Sequence, residues 1–341
     1  MSVLVTGSSG FLGGALVERL LAHGESEVRC LVRPSSNLSK LTLIGQKYPQ
    51  AKLTYVLGNL ISRQDALQAV DGVETVFHLA ASMKGAPATM FLDTVVGSKY
   101  LLEAILTTKP RRVVLISSLG VYGVSELPAR TVINENTPLE QHPEKRDVYS
   151  YAKLRQEQLF SEYRERGTFE MVTLRPGVLY GPGAAGLPTR VGIKVGGLFF
   201  HLGRNILLPL SHIDNCAEAI VIAGRTPQAS GQAYNVVDDD LPTTKKYLKL
   251  YRREIKLRSV TLPFFATRLL SASLERYNVF SRGQLPAVLT PYKSAALWKS
   301  FLFDNRKIKS IGWRPVISTE TGLRATFDYL RTHRNGNAAA I

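Results

Sequence analysis

The chain has 341 residues, 45% hydrophobic and 21% charged, a composition that excludes a mainly disordered protein. Its two cysteines, Cys30 and Cys216, exclude a disulfide scaffold and a cysteine-rich zinc site, so a reducing, cytoplasmic compartment is expected. The net charge of +16 is uneven: residues 1–240 carry 24 Lys and Arg against 22 Asp and Glu, whereas residues 241–341 carry 19 against 5. Any electrostatic partner is therefore expected at the C-terminal end.

MSVLVTGSSG lacks a basic n-region, so no secretory signal is expected, and no apolar run reaches the ~18 residues that span a bilayer. Short apolar runs at 3–7, 28–33, 53–59, 74–81, 111–118 and 169–176 predict strands. Helical patterns lie at 11–23, about 90–106 and 150–166. Strands apolar on both faces and separated by helices predict a parallel sheet covered on both sides. After Pro176 the character changes: a Gly/Pro stretch reads as a loop, followed by the glycine-bearing apolar run VGGLFFHLG. A helix near 214–223, a strand at 233–237 and a basic, mostly helical end complete the chain, with a frayed tail at NGNAAAI.

Three features carry chemistry. Gly7, Gly10 and Gly13 in TGSSGFLGG stand at G-x-x-G-x-x-G spacing between the first strand and the first helix. Glycines there let the backbone turn tightly and approach a pyrophosphate, which the helix N-terminus then favours. The second strand ends in Arg33, where an NAD-binding fold places an acidic residue, and Ser35, Ser36 and Lys40 follow. That set favours a 2′-phosphate and hence NADP(H), with NAD(H) as the alternative. Tyr149 and Lys153 lie one helical turn apart, after a strand whose C-terminal end carries Ser117 and Ser118. A phenol beside a cation is a usable acid/base, and ligands of open parallel sheets bind at the strands' carboxyl ends. A second Tyr/Lys pair, Tyr48 and Lys52, has Pro49 inside it and precedes the third strand.

The chain resembles the extended short-chain dehydrogenase/reductases of the NAD-dependent epimerase/dehydratase family, with some likeness to their 3β-hydroxysteroid dehydrogenase branch. The resemblance rests on TGSSGFLG, HLAA at 78–81, SSLGVYG at 117–123, YSYAK ending at Lys153, LRPGVLYGPG at 174–183, HIDNCAEA at 212–219, AYNVVDDDLP at 233–242 and FDNRKIKSIGWRP at 303–315. It implies a Rossmann-type doubly wound parallel sheet, residues 1–175 with about 210–240, and a smaller substrate-binding subdomain, 176–209 with 241–334. The remaining 335–341 would be a flexible tail. It also implies catalytic Ser118 for the hydroxyl, Tyr149 for the acid/base, and Lys153 to lower the tyrosine pKa and hold the nicotinamide ribose. Gly7, Gly10, Phe11, Leu12, Gly13, Arg33, Asn59, Leu60, Leu79, Ala80, Ala81, Pro176 and Val178 would border the cofactor.

Departures from the family pattern shape the expectation. Asn59 replaces an Asp, so the adenine contact would come from an amide; Thr94 replaces an Asn, weakening one cofactor-side hydrogen bond. Leu119 and Gly120 follow Ser118 where dehydratases carry an acid, which disfavours dehydration. His78 is expected to be packed, and His212 with Asp214 structural or substrate-side. No metal site is expected. The leading expectation is an epimerase or 4-ketoreductase acting on an anionic nucleotide sugar or lipid-linked sugar. One alternative is a 3β-hydroxysteroid-dehydrogenase-like reductase of an apolar ketone, suited by LFFHLG and LPFFATRLL; another is a non-catalytic NADP sensor. The resemblance implies a homodimer. The segment KKYLKLYRREIKLRSV, reading as an amphipathic helix running into a strand, suggests peripheral contact with an anionic membrane rather than nucleic acid.

Overall fold

In the computed structural model, which describes residues 2–184, 186–281 and 289–333, seven strands form one parallel sheet. They are β1 (Ser2–Thr6), β2 (Glu27–Val32), β3 (Lys52–Leu57), β4 (Thr75–His78), β5 (Arg112–Ile116), β6 (Glu170–Pro176) and β7 (Ala233–Val236). Their order is β3-β2-β1-β4-β5-β6-β7, every neighbour parallel. This is the doubly wound order of a Rossmann fold, whose chain direction reverses between β1 and β4 and opens a crevice at their carboxyl ends.

Helices cover both faces, as strands such as β5, buried along its whole length, require. Helix α1 (Phe11–Ala22) and α6 (Ile213–Arg225) lie on one side, with Leu16, Val17, Leu20, Cys216 and Ile220 in one apolar cluster. On the other, α3 (Arg63–Val70), α4 (Gly97–Thr108) and α5 (Val148–Arg166) enclose Leu101, Ile105 and Phe160. Helix α2 (Ser39–Lys47) and α3 escaped the sequence reading, because each buries only two or three residues and shows little apolar period. The helix expected over 90–106 is interrupted: Pro87–Phe91 and α4 flank a wider π-turn at Leu92–Val96. Gly97 ends that turn against Leu60, whose Cβ would lie 3.2 Å from a Cβ at 97. Cys30 and Cys216 are both buried and free.

The region read as a Gly/Pro loop holds a short strand, Val178–Tyr180, pairing in parallel with Leu210–His212. VGGLFFHLG is a hairpin of Gly192–Val195 with Leu198–Leu202. Gly196 and Gly197 both take positive φ, 55° and 81°, as a tight hairpin turn demands. Strand Ser259–Leu262 adds to its far edge. Helix α7 (Thr244–Glu254) buries Tyr247, Leu248 and Tyr251 against Phe199, Leu323 and Phe327, the last two from α10 (Thr319–Thr332). Phe199 is thus core. Helix α8 (Phe264–Phe280) and α9 (Pro291–Trp298) lie beyond it.

The C-terminal segment does not fall wholly within the subdomain expected from sequence. Ile308 and Trp313 join the sheet's own apolar cluster, and the Trp313 indole donates to Asn215 O at 3.0 Å. The expected tail at 335–341 lies outside the described residues. Among the described residues no helix is long and apolar enough to cross a membrane.

Candidate active site

The cradle begins where β1 ends. Gly7 adopts φ 69°, and a Cβ there would stand 3.0 Å from Ala80 N. At Gly13 a Cβ would lie 2.1 Å from Gly7 O, so α1 can pack on the turn only without a side chain. Gly10 caps α1 and offers no side-chain hydrogen bond, leaving the first amides, from Phe11 and Leu12 onward, open to an anion. The residues present therefore fit a dinucleotide pyrophosphate. At the end of β2, Arg33 is exposed; Ser36 Oγ accepts from Arg33 N at 3.1 Å, and Ser9 Oγ donates to Ser36 Oγ at 3.4 Å. The Lys40 side chain lies over Gly14, 3.0 Å from where a Cβ would stand. Two cations and several hydroxyls thus flank the cradle's rim.

Along the crevice, Asn59 Oδ1 accepts from Ile61 N at 3.2 Å, so its amide NH2 is the end that would remain for a ligand; Leu60 is buried. The Leu79–Ala81 backbone follows β4 and is pinned by Ala80 N donating to Thr6 Oγ1 at 3.3 Å. Thr94 is buried and its hydroxyl accepts from Ser82 N at 3.0 Å. It shapes that loop from behind. Pro176 closes β6, buried, and half-buried Val178 opens the next short strand. Gly177 between them cannot carry a side chain, since its Cβ would stand 2.1 Å from Pro209 O.

Ser118 follows β5 and accepts from Gly120 N at 3.1 Å. Asp147 caps α5 through Ser150 N, which sets Tyr149 in the first turn, facing Ser118. Burial pushes the Tyr149 phenol up to about 12, and a hydrogen bond from the Ser118 hydroxyl partly offsets this. One turn on, Lys153 is 3% exposed; its Nζ donates to Ile116 O at 2.7 Å and to Gln156 Oε1 at 2.9 Å. Burial pulls this ammonium down to about 7, against the pull of the Glu157 carboxylate. The two bonds to Ile116 O and Gln156 Oε1 leave one of the three ammonium N–H groups for a further acceptor. Ser118 and Asp147 are the neighbours that bear on the Tyr149 phenol here, Ser118 lowering it and Asp147 raising it.

Gln156 was missed by sequence reasoning. Its Nε2 donates to Ser98 Oγ at 2.8 Å and Ala80 O at 3.3 Å, tying α5 to the cofactor strand. Its place three residues after Lys153, on the same helix face, was the available signal. His78 is packed as expected: it lies between Thr6 and Ser98, stacks on Phe160 at 5.3 Å and is driven down to about 3 by burial, so it is neutral. His212 caps α6 through Asp214 N and meets Tyr180 edge-on, a structural role. Glu157, which accepts from Ser117 Oγ at 2.6 Å, pairs with buried Arg175 behind the site.

Arg190 also escaped notice. Its Nη1 donates to Ala296 O at 3.3 Å, and its guanidinium lies 5.5 Å from the Phe303 ring. Among the described residues Nε and Nη2 are buried without a partner, and the charged group that bears on the guanidinium is another cation, Arg146. Phe303 and Leu119, the residue after Ser118, pack on the same apolar cluster of Tyr122, Val124, Ile133, Ala296 and Phe301.

The crevice, the glycine cradle and the hydroxyl pair at β5 define a dinucleotide-binding enzyme of the Rossmann type. The model of the NAD dependent epimerase/dehydratase family matches residues 3–236, and the chain belongs to that family. It is 27% identical to a 2-alkyl-3-oxoalkanoate reductase of Shewanella oneidensis, over 94% of this chain and 84% of that one. A decarboxylating sterol-4-alpha-carboxylate 3-dehydrogenase of Candida albicans is 26% identical over 96% and 97%. Among solved structures, the UDP-glucose 4-epimerase of Thermus thermophilus in complex with NAD superposes with a TM-score of 0.70 at 22% identity, covering both chains fully.

Proposed function

We propose that this protein is an NADPH-dependent reductase of a ketone in a large, apolar 3-oxo acid. The observation that carries the reaction type is the Ser118–Tyr149 pair at the end of β5, with a phenol that stays protonated at neutral pH. A bound nicotinamide supplies hydride to the ketone carbon. Ser118 orients the ketone oxygen, and Tyr149 gives it a proton, so carbonyl, hydride and proton become a secondary alcohol. Lys153, one turn on from Tyr149, is the cation that would favour the phenolate once Tyr149 has given its proton to the ketone oxygen.

Arg190 supports the substrate class. A buried guanidinium without a counter-ion among the described residues suits a carboxylate, which it can grip in two-pronged fashion through Nε and Nη2. Two relatives of nearly full length are named for substrates that pair an acid with a neighbouring oxygenated carbon. Arg33 and Lys40 support NADP(H) over NAD(H). The test is NADPH oxidation with long-chain 3-oxo acids, sterol ketones and UDP-sugars in parallel. Turnover of the 3-oxo acids is expected. Turnover confined to UDP-sugars would replace this reading with the nucleotide-sugar one, in which Arg190 grips a diphosphate.

A further inference from the structure

Helix α8 is built inside out. Its inward residues are small and polar: Thr267 and Ser271 are fully buried, and Ser271 shares a 2.5 Å hydrogen bond with buried Ser294 of α9. Those hydroxyls are satisfied locally, Ser271 Oγ also donating to Thr267 O at 2.7 Å. Its large apolar residues point to solvent: Phe280 is 83% exposed, Val279 74%, Phe265 67% and Leu269 66%, with Tyr277, Leu270 and Leu274 beside them. An ordinary surface helix has the reverse pattern. Contiguous exposed apolar surface on this scale marks an interaction site.

The charge on the helix selects the occupant. Arg268 and Arg276 lie on α8 and form no ion pair among the described residues, against one acid, Glu275. Lys299 is close enough to Arg268 to feel its repulsion, and the last hundred residues hold 19 cations against 5 acids. A second copy of the chain would bring like charges face to face. An anionic bilayer supplies both an apolar layer for the Phe and Leu side chains and a counter-charge for the arginines. The amphipathic segment expected from sequence to touch lipid is not this surface. Helix α7 buries its Tyr247, Leu248 and Tyr251 in the core, so its apolar face is already covered. The LPFFATRLL run is likewise outward-facing over Phe265, Leu269 and Leu270 rather than reserved for a substrate cleft.

We infer that α8 lies in the surface of an anionic membrane, its Phe265, Leu269 and Phe280 side chains inserted and Arg268 and Arg276 at the headgroups. This holds whatever the substrate. The experiment is flotation of the full chain with phosphatidylcholine vesicles, alone or with about 30% phosphatidylserine. Three proteins are compared: wild type, the triple variant Phe265→Ser/Leu269→Ser/Phe280→Ser, and Arg268→Glu/Arg276→Glu. All five substituted side chains are on the solvent side, and equal melting temperatures confirm the fold. Wild type is expected to float with the anionic vesicles at least 10-fold more than with neutral ones, and both variants to lose most of that. Absence of wild-type flotation, or undiminished flotation of the triple variant, overturns the inference. So does a dimer in sedimentation velocity that the triple variant converts to monomer, which would assign the face to a second copy.

Discussion

Around the sheet, buried charge comes in closed sets. Glu157 accepts from Ser117 and pairs with Arg175, which donates on to Tyr122; Lys153 has Ile116 O and Gln156; His78 is held neutral between two hydroxyls. Beyond Pro176, Arg190 keeps two buried nitrogens without partners among the described residues, and α8 turns seven large apolar side chains outward. The buried ions around the sheet are paired, although His212 Nε2 and Asn235 Nδ2 have no partner among the described residues; Arg190 is a buried ion left without a counter-ion there. A closed set fixes geometry for chemistry, whereas an open one marks where recognition happens.

Three changes would break or sharpen that contrast. The largest effect belongs to the closed half: Tyr149→Phe, which keeps the ring and removes the proton, is expected to cut kcat by at least ~100-fold with dinucleotide binding retained. Next comes the cradle's rim. Arg33→Ala should erase a preference for NADPH over NADH on the order of 10-fold, read by titration of each cofactor, because a hydrogen bond to a charged group is lost. NADH affinity should hardly move. Equal binding of the two cofactors by wild type would make Arg33 a bystander.

The smallest effect is a slope. Lys153 titrates near 7 in the fold and 10.5 when exposed, so between these values the unfolded chain binds the extra proton. Folding is therefore penalised below pH 7, and the penalty lifts as pH rises. Lys153→Met should raise the melting temperature more at pH 6 than at pH 9. A shift equal at both values would show that Lys153 is not desolvated as described.

How much was legible divides along the same line. Gly7, Gly10, Gly13 and the Tyr149/Lys153 spacing could be read because local backbone geometry dictates them. The sheet strands could be read because burial on both faces leaves continuous apolar runs. The partners of Gln156 and Thr94 could not, since they lie 58 and 12 residues away, although Thr94 stood out as a departure from the family pattern and Gln156 shares a helix face with Lys153. Nor could the role of α8: FFATRLLSASLERYNVF looks like a core helix until Thr267 and Ser271 are seen on its inner face. The hairpin at Gly196 and Gly197 was partly visible, its glycines noticed but its strands not.

Chemistry at the Ser118–Tyr149 pair and substrate binding at Arg190, as proposed above, should separate in the kinetics. The most direct test is the split of kcat and KM for one 3-oxo acid across wild type, Tyr149→Phe and Arg190→Ala. Tyr149→Phe is expected to lower kcat with KM nearly unchanged, while Arg190→Ala raises KM at least about 10- to 100-fold, since the two-pronged grip includes at least one charged hydrogen bond, and leaves kcat within a few-fold. An Arg190→Ala enzyme with unaltered KM, or a Tyr149→Phe enzyme keeping more than a tenth of wild-type turnover, would contradict that proposal.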